Sequence, residues 1–334
     1  MVIDLSFLAN ASIFIFWLII GFTLLAKGAD YMVDGAASIA DRFGVSHLII
    51  GLTIVAFGTS APELAVNIFS AVQGSTAMAL GNINGSNIAN ILLILGVASL
   101  ITSIPIKSGT VAKEIPFMLL SGLVLLLLAS DKYIEGSTHA ILSRTDGFVL
   151  LTFFLVFLYY LFLSARNRKQ MTETETFSLP VSFIMTLGGL IGLIIGAKIV
   201  VYGATGIAHI FHVSEGLIGL SLIAFGTSLP ELASSVIAAR KGKIDMAFGA
   251  IVGSNIFNIL LVLGVTASIT PIDIAISNVF DILIGLIAML VLLVAVLMSK
   301  EVLNGRKYRT ISRAEGVVFL LLYIAYIAYI FIRG

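Results

Sequence analysis

Residues 45–97 recur as residues 213–265 at a constant offset of 168, without a gap, and 31 of the 53 positions are identical. The shared core is Ala56-Phe57-Gly58-Thr59-Ser60-Ala61-Pro62-Glu63-Leu64-Ala65 in the first copy and Ala224-Phe225-Gly226-Thr227-Ser228-Leu229-Pro230-Glu231-Leu232-Ala233 in the second. A second core pairs Gly85-Ser86-Asn87-Ile88-Ala89-Asn90 with Gly253-Ser254-Asn255-Ile256-Phe257-Asn258. Each copy sets a carboxylate beside a helix-breaking proline inside an apolar segment. Acids at membrane depth are costly and mark ion or substrate routes, and a duplicated one points to a site where two repeats meet.

The segments are apolar enough to be membrane spans. Only 11% of the residues are charged and 59% are hydrophobic, whereas soluble domains are about 25% charged. Stretches of about 20 apolar residues suffice to cross a bilayer. Ten helices are expected, at 11–40, 46–73, 76–101, 111–130, 145–165, 180–208, 213–240, 243–269, 278–299 and 313–332. The expected fold is an all-α polytopic membrane protein. A first five-helix repeat covers 1–165, a cytoplasmic linker 166–179, and a second repeat 180–334. Five is odd, so the second half enters the membrane from the opposite side and the repeats are inverted, with helices broken at the midplane.

Basic residues set the orientation. With the N-terminus outside, 14 Lys and Arg fall at cytoplasmic ends and loops, against 3 outside. Both termini are therefore expected outside, in the plasma membrane of the cell. The net charge of +1 gives no footprint for nucleic acid, and no obligate protein partner is indicated. The chain has no cysteine, so thiolate metal sites and cysteine nucleophiles are excluded.

Within the first core, Gly58 and Pro62 flank Thr59, Ser60 and Ala61. Proline removes a backbone donor and crowds the preceding turn, so a kink or unwinding is expected there, freeing carbonyls near Ala56 and Phe57. Thr59, Ser60 and Glu63 share one helical face. Ser86 and Asn90 lie one turn apart on the next helix. The second copy offers Thr227, Ser228, Glu231, Ser254 and Asn258. Hydroxyl, carboxylate and carbonyl oxygens suit hard cations such as Ca²⁺, not soft transition metals. A central charge of −2 neutralises one divalent cation or two monovalent ones, which is a physical basis for exchange. Gly81/Gly85 and Gly249/Gly253 read as packing devices. Asn87 and Asn255 suit either a ligand role or a helix-to-helix hydrogen bond. Asp30, Asp34 and Lys27 suit a structural or vestibule role, and Tyr159 and Tyr160 read as interfacial anchors.

Two copies of G-T-S-x-P-E, each followed by G-S-N-I-x-N-I, resemble the α-repeats of the sodium/calcium exchanger family within the cation/Ca²⁺ antiporters. The resemblance covers the first three helices of each half. It implies that Glu63 and Glu231 are the central cation ligands. Thr59, Ser60, Ser86, Asn90, Thr227, Ser228, Ser254 and Asn258 would complete the sites, with the carbonyls of Ala56 and Ala224. It further implies a secondary antiporter that is not an enzyme, carries no cofactor, and moves Ca²⁺ against Na⁺. Some family members, including the potassium-dependent branch, carry Asp where this chain has Asn258. The missing charge argues against K⁺ co-transport. Ca²⁺/H⁺ exchange, K⁺-dependent exchange and a passive cation channel are the alternative readings. An intramembrane hydrolase would need two carboxylates in unlike environments, and these two sit in near-identical ones.

The topology is directly testable. A single cysteine introduced at Gln170 is expected to react with an impermeant maleimide only after the cell membrane is opened. Labelling in sealed, right-side-out cells would overturn the assigned orientation.

Overall fold

A computed structural model describes residues 5–73, 76–134, 136, 140–166, 177–211, 224–299, 301–303 and 306–333. Most of the linker expected at 166–179, Gln170 included, and the first 11 residues of the helix expected at 213–240 lie outside these. Among the described residues, eight helices are long and apolar enough to cross a membrane, and a bent pair, His47–Thr59 with Ala61–Val72, makes nine. The counterpart of that pair in the second half is Ala224–Thr227 followed by Leu229–Arg240. The protein is an all-helical membrane protein, as expected, because helices satisfy every backbone group within one segment in lipid.

Helix ends follow local chemistry. The first helix, Leu5–Phe43, stops at Gly44, whose φ of 64° is a left-handed conformation that glycine adopts without strain. Gly44 N–H donates to the Asp41 carbonyl and Val45 N–H to the Ala40 carbonyl, which closes the last turn. Gly242, at φ 71°, ends Leu229–Arg240 with the same pair of bonds, to Ala239 and Ala238.

Burial sorts the helices into layers. In the spans Ala79–Ile101 and Ile244–Ile269, 78% and 89% of the apolar window is buried, against 39% or less in the other spans tested singly. These two form the core, with the bent pair and its counterpart packed on them. The spans Gly109–Leu128, Arg144–Arg166, Ile276–Met298 and Arg313–Arg333 surround them, presenting side chains such as Leu155, Phe162, Ile287 and Ile324 to lipid.

The first helices of the two halves, Leu5–Phe43 and Leu179–Ile210, lie along one another over most of their length. Gly21 faces Gly196 and Val200, Gly28 faces Gly189 and Leu193, and Gly35 faces Ser182 and Thr186. As one number rises the other falls, so the equivalent helices run antiparallel. A Cβ on Gly189 would stand 2.5 Å from the Gly28 carbonyl oxygen, so the backbones approach as closely as only glycine allows. Gly249 and Gly253 act likewise against Leu48, Leu52 and Ala56. The positions related to these by the repeat, 216–224, lie mostly outside the described residues, and Gly81 and Gly85 meet no described atom within 4 Å.

Short strands, unforeseen in an all-helical reading, tie the loops together. Ile104–Ile106 pairs antiparallel with Arg306–Ile311, and Ile141–Leu142 with Ile272–Asp273. Ile104 and Ile272 are themselves repeat mates. One end of the bundle is further joined by ion pairs. Lys107 contacts Asp245 at 2.5 Å, and Lys241 contacts Asp30 at 2.5 Å and Asp34 at 2.7 Å. Asp30 and Asp34 therefore have a structural partner from the other half.

Replacing Gly189 by leucine is expected to lower stability by about 1–3 kcal/mol, the range for an overpacked contact. Gly188, beside it but with no described neighbour within 4 Å of its virtual Cβ, is the control position. Melting of both variants in detergent checks this; equal melting temperatures would remove the glycine contact from the account.

Candidate functional site

The site begins with the two breaks. Ser60 (φ −81°, ψ 1°) and Ser228 (φ −87°, ψ 0°) interrupt their helices, which restart at Ala61 and Leu229. Pro62 and Pro230 sit in the first turn of the restarted helices, where a backbone N–H has no intrahelical acceptor to lose. The proline is thus placed where it fits, and the chain bends by 42° at the first break. Glu63 and Glu231 also fall in these first turns. The positive end of each helix dipole favours an anionic group there.

Glu63 is 0% exposed and Glu231 3%, and the two carboxylates lie close enough to repel each other. Ser86 Oγ donates to Glu63 Oε1 at 3.4 Å, and Ser60 Oγ donates to Glu231 Oε1 at 3.4 Å. Ser228 Oγ donates to Ser86 Oγ at 3.2 Å. Thr227 also reaches the Glu63 carboxylate, and Thr59 that of Glu231. Glu231 is therefore served by hydroxyls of the other repeat, and Glu63 by one hydroxyl from each repeat. Seven of the expected residues, Thr59, Ser60, Glu63, Ser86, Thr227, Ser228 and Glu231, are brought together by these contacts.

Asn90 and Asn258 lie in single π-helical stretches, Ala89–Ile94 and Phe257–Leu263. Such wide turns occur often at functional positions. The Glu63 helix packs on the stretch holding Asn258, and the Glu231 helix on the stretch holding Asn90. Asn258 Nδ2 donates to Asn87 Oδ1 at 3.1 Å, so Asn87 makes a helix-to-helix bond. Asn255 Nδ2 donates to its own helix at the Ile251 carbonyl.

Buried polar atoms are nearly always paired. Here Glu63 Oε2, Glu231 Oε2, Ser254 Oγ, Asn90 Oδ1, Asn90 Nδ2, Asn255 Oδ1 and Asn258 Oδ1 are buried without a partner among the described residues. Each orphan costs about 1–3 kcal/mol. A concentration of unpaired oxygens around two carboxylates is the donor set a hard cation completes.

Ala56 departs from expectation. The helix does not unwind before the break: the Ala56 carbonyl accepts the Ser60 N–H at 3.0 Å, and the Thr59 hydroxyl turns back to the Val55 carbonyl at 3.0 Å, with Ala56 farther at 3.3 Å. Helical geometry through Thr59 keeps that carbonyl engaged. In the second repeat the Ser228 N–H goes instead to the Phe225 carbonyl, at 3.1 Å. Ala224 opens that short helix, and its side chain lies outside the described set.

Three asparagines escaped sequence reasoning. Thr227 Oγ1 donates to Asn82 Oδ1 at 3.4 Å, Asn82 Nδ2 to Asn67 Oδ1 at 2.9 Å, and Asn67 Nδ2 to the Ala79 carbonyl at 3.2 Å. Asn84 is buried beside them in sequence, its Nδ2 unpaired. The signal was present: Asn67 is four residues beyond Glu63 and Asn82 four before Ser86, each on the face of its site residue.

The chain is similar to known proteins over nearly its whole length. The family model described as sodium/calcium exchanger protein matches residues 13–163 and again 181–332. CaxA of Alkalimonas amylolytica is 41% identical over 327 residues, covering 95% of this chain and 97% of its own. The sodium/calcium exchanger MaX1 of Methanosarcina acetivorans is 32% identical over 357 residues, covering 94% and 97%. The solved structure of the sodium-calcium exchanger NCX_Mj soaked with 10 mM Na⁺ superimposes with a TM-score of 0.80 at 31% identity, covering 95% of this chain and 99% of that one. Nearly the whole length is shared in each case, and the family model falls on both halves that the internal repeat defines. This chain belongs to the sodium/calcium exchanger family.

Proposed function

We propose that the protein is a secondary antiporter that exchanges Ca²⁺ for Na⁺ across the cell membrane by alternating access, without K⁺. The observation that carries this reading is the Glu63–Glu231 pair, each with a buried, unpartnered Oε2 and surrounded by neutral oxygens. Two carboxylates balance one Ca²⁺ or two Na⁺, so either cargo fills the same donors and neither binds fully beside the other. The ligand set comprises Glu63, Glu231, Thr59, Ser60, Thr227, Ser228, Ser86, Ser254, Asn90 and Asn258, with backbone help at Ala56 and Ala224. The carboxylates bind the ion as anions, the hydroxyls and amide oxygens replace its water, and the closely packed helices exclude solvent. The Ala224 carbonyl is the better backbone candidate, since Ala56 already accepts the Ser60 N–H while Ser228 N–H turns to Phe225.

Alternating access draws support from the antiparallel packing of Leu5–Phe43 on Leu179–Ile210. Inverted halves, 1–165 and 180–334, offer the site repeat-related walls toward both membrane faces. The pairing of Ile104–Ile106 with Arg306–Ile311 and the ion pairs gather the loops holding Lys107, Lys241 and Arg309 at one end. We assign that end to the cytoplasm on its basic residues, which places both termini outside. A channel needs a continuous pore, and an occluded pair of acids argues for stepwise exchange.

Glu63→Gln and Glu231→Gln keep shape and remove one charge each. Each is expected to weaken Ca²⁺ binding by roughly 2–5 kcal/mol, as for removal of one member of a buried charge pair, or about 30-fold and more. Isothermal titration and ⁴⁵Ca²⁺ uptake check this. Near-wild-type uptake by both variants would refute the site.

The coupling ion is read in proteoliposomes under imposed Na⁺, K⁺ or H⁺ gradients. Na⁺ is expected to drive Ca²⁺ movement with K⁺ absent. Asn258→Asp adds a third charge at nearly constant shape and is expected to change the dependence on monovalent cations. A strict need for K⁺ in the wild-type protein would sink the charge-count argument, and H⁺-driven uptake indifferent to Na⁺ would replace Na⁺ as the coupling ion.

A further inference from the structure

A second buried acid lies far from the exchange site in sequence and is not used by it. Glu114 begins the helix Glu114–Leu128 and is 6% exposed. The Tyr160 hydroxyl donates to its Oε1, while Oε2 is buried with no partner among the described residues. Glu114 borders a cavity of about 260 Å³ whose wall also includes Ser46, Lys113, Tyr160, Leu163 and Ser164. That volume has room for several waters at about 30 Å³ each, far more than one bare metal ion occupies.

The second half shows what such an acid takes as a partner. At the 168-residue offset Asp281 falls one position before the counterpart of Glu114. It too is 6% exposed, near the start of its helix Ile276–Met298. Asp281 receives both nitrogens of the Arg333 guanidinium, at 2.7 and 3.1 Å. That guanidinium lies over the ring of Tyr329, 5.4 Å from its centroid. Tyr329 stands one position beyond the counterpart of Tyr160. Acid and tyrosine are thus present in both halves, but the cation between them is built in only once. At the strict offset Arg333 falls on Ala165, and Arg166 beside it, an exposed residue at the end of its helix, makes no ion pair with Glu114.

We propose that the Glu114 cavity binds the primary ammonium headgroup of an aminophospholipid such as phosphatidylethanolamine. The ammonium takes the place that Arg333 fills in the other half, donating to Glu114 and facing the Tyr160 ring. Lys113, exposed at the rim, faces the phosphate. The depth is right, because Ser46, Glu114 and Ser164 all lie at helix ends, where headgroups sit. The wall is right as well, since Leu48, Ile49 and Leu163 offer the acyl chain an apolar surface. A trimethylated choline headgroup has no N–H to give Glu114 and is rejected on that ground.

Native mass spectrometry of the whole protein, incubated with phosphatidylethanolamine, phosphatidylcholine and phosphatidylglycerol of identical chains, reads the preference. Wild-type protein is expected to retain the ethanolamine lipid at least about tenfold over the choline lipid, the ratio for one charge-assisted hydrogen bond. Glu114→Gln is expected to lose that preference while its ion flux in phosphatidylcholine vesicles stays unchanged. Tyr160→Phe, which keeps the ring, is expected to retain it in part. Equal retention of all three lipids by wild-type protein, or a preference for the glycerol lipid, would overturn the proposal. So would free ethanolamine or Na⁺ alone displacing the bound lipid at millimolar concentration, because the site would then hold a small cation. Wild-type selectivity is measured without any variant, so a poorly folding Glu114→Gln leaves the proposal open to refutation.

Discussion

Two carboxylates buried side by side in a membrane protein are the constraint from which the rest follows. Alone, each disfavours the folded state, since charge at membrane depth costs at least a few kcal/mol. Together they also repel. The fold answers by placing each acid in the first turn of a restarted helix and by aiming hydroxyls at it, Ser60 across the repeats at Glu231 and Ser86 within its own repeat at Glu63. That leaves one oxygen of each carboxylate unpaired. The pair is not satisfied by the described residues alone, and this incompleteness is what supports the proposed reading of a cation site over a structural buried network.

Such an arrangement demands close backbones. Cross-repeat contacts such as Ser60 to Glu231 and Asn258 to Asn87 span side chains of only two to four heavy atoms beyond the backbone. They form only if the core spans approach within reach, and Gly249 and Gly253 let Ile244–Ile256 settle onto Leu48, Leu52 and Ala56. The same device joins the first helices of the two halves through Gly28, Gly35 and Gly189. In lipid, where apolar side chains gain little by leaving their surroundings, this backbone packing supplies much of the cohesion between helices.

What was legible in the sequence was whatever the repeat wrote twice. Glu63 with Glu231, Ser60 with Ser228 and the paired glycines announce themselves because a second copy confirms each position. Features that lack a duplicate, or that depend on hydrogen-bond register, were hidden. Asn67, Asn82 and Asn84 face Ser235, Ala250 and Val252 in the other copy, so the repeat comparison passed over them. The π-helical stretches at Ala89–Ile94 and Phe257–Leu263 carry no residue signature. The Ala56 carbonyl was expected free because proline was assumed to break a helix from within. Instead Pro62 opens a new one, so the preceding turn keeps its bonds.

The places where the halves differ have an energetic meaning. If the two repeats were identical and inverted, a conformation open to one face would have a mirror of equal energy open to the other. The file from Thr227 through Asn82 and Asn67 to the Ala79 carbonyl breaks that equality. It extends polar, hydrogen-bonded surroundings away from Glu63 on one side, and the repeat mates of its two asparagines on the other side are Ser235 and Ala250. Water and hydrated ions solvate amides far better than alkyl groups, so the side with two amides is the better hydrated surface and the side with one hydroxyl and one methyl the poorer. A symmetric pair of acids therefore sits between unequal walls, and under the proposed alternating access the divergence within the repeats, not the repeats themselves, would set which orientation an empty site prefers.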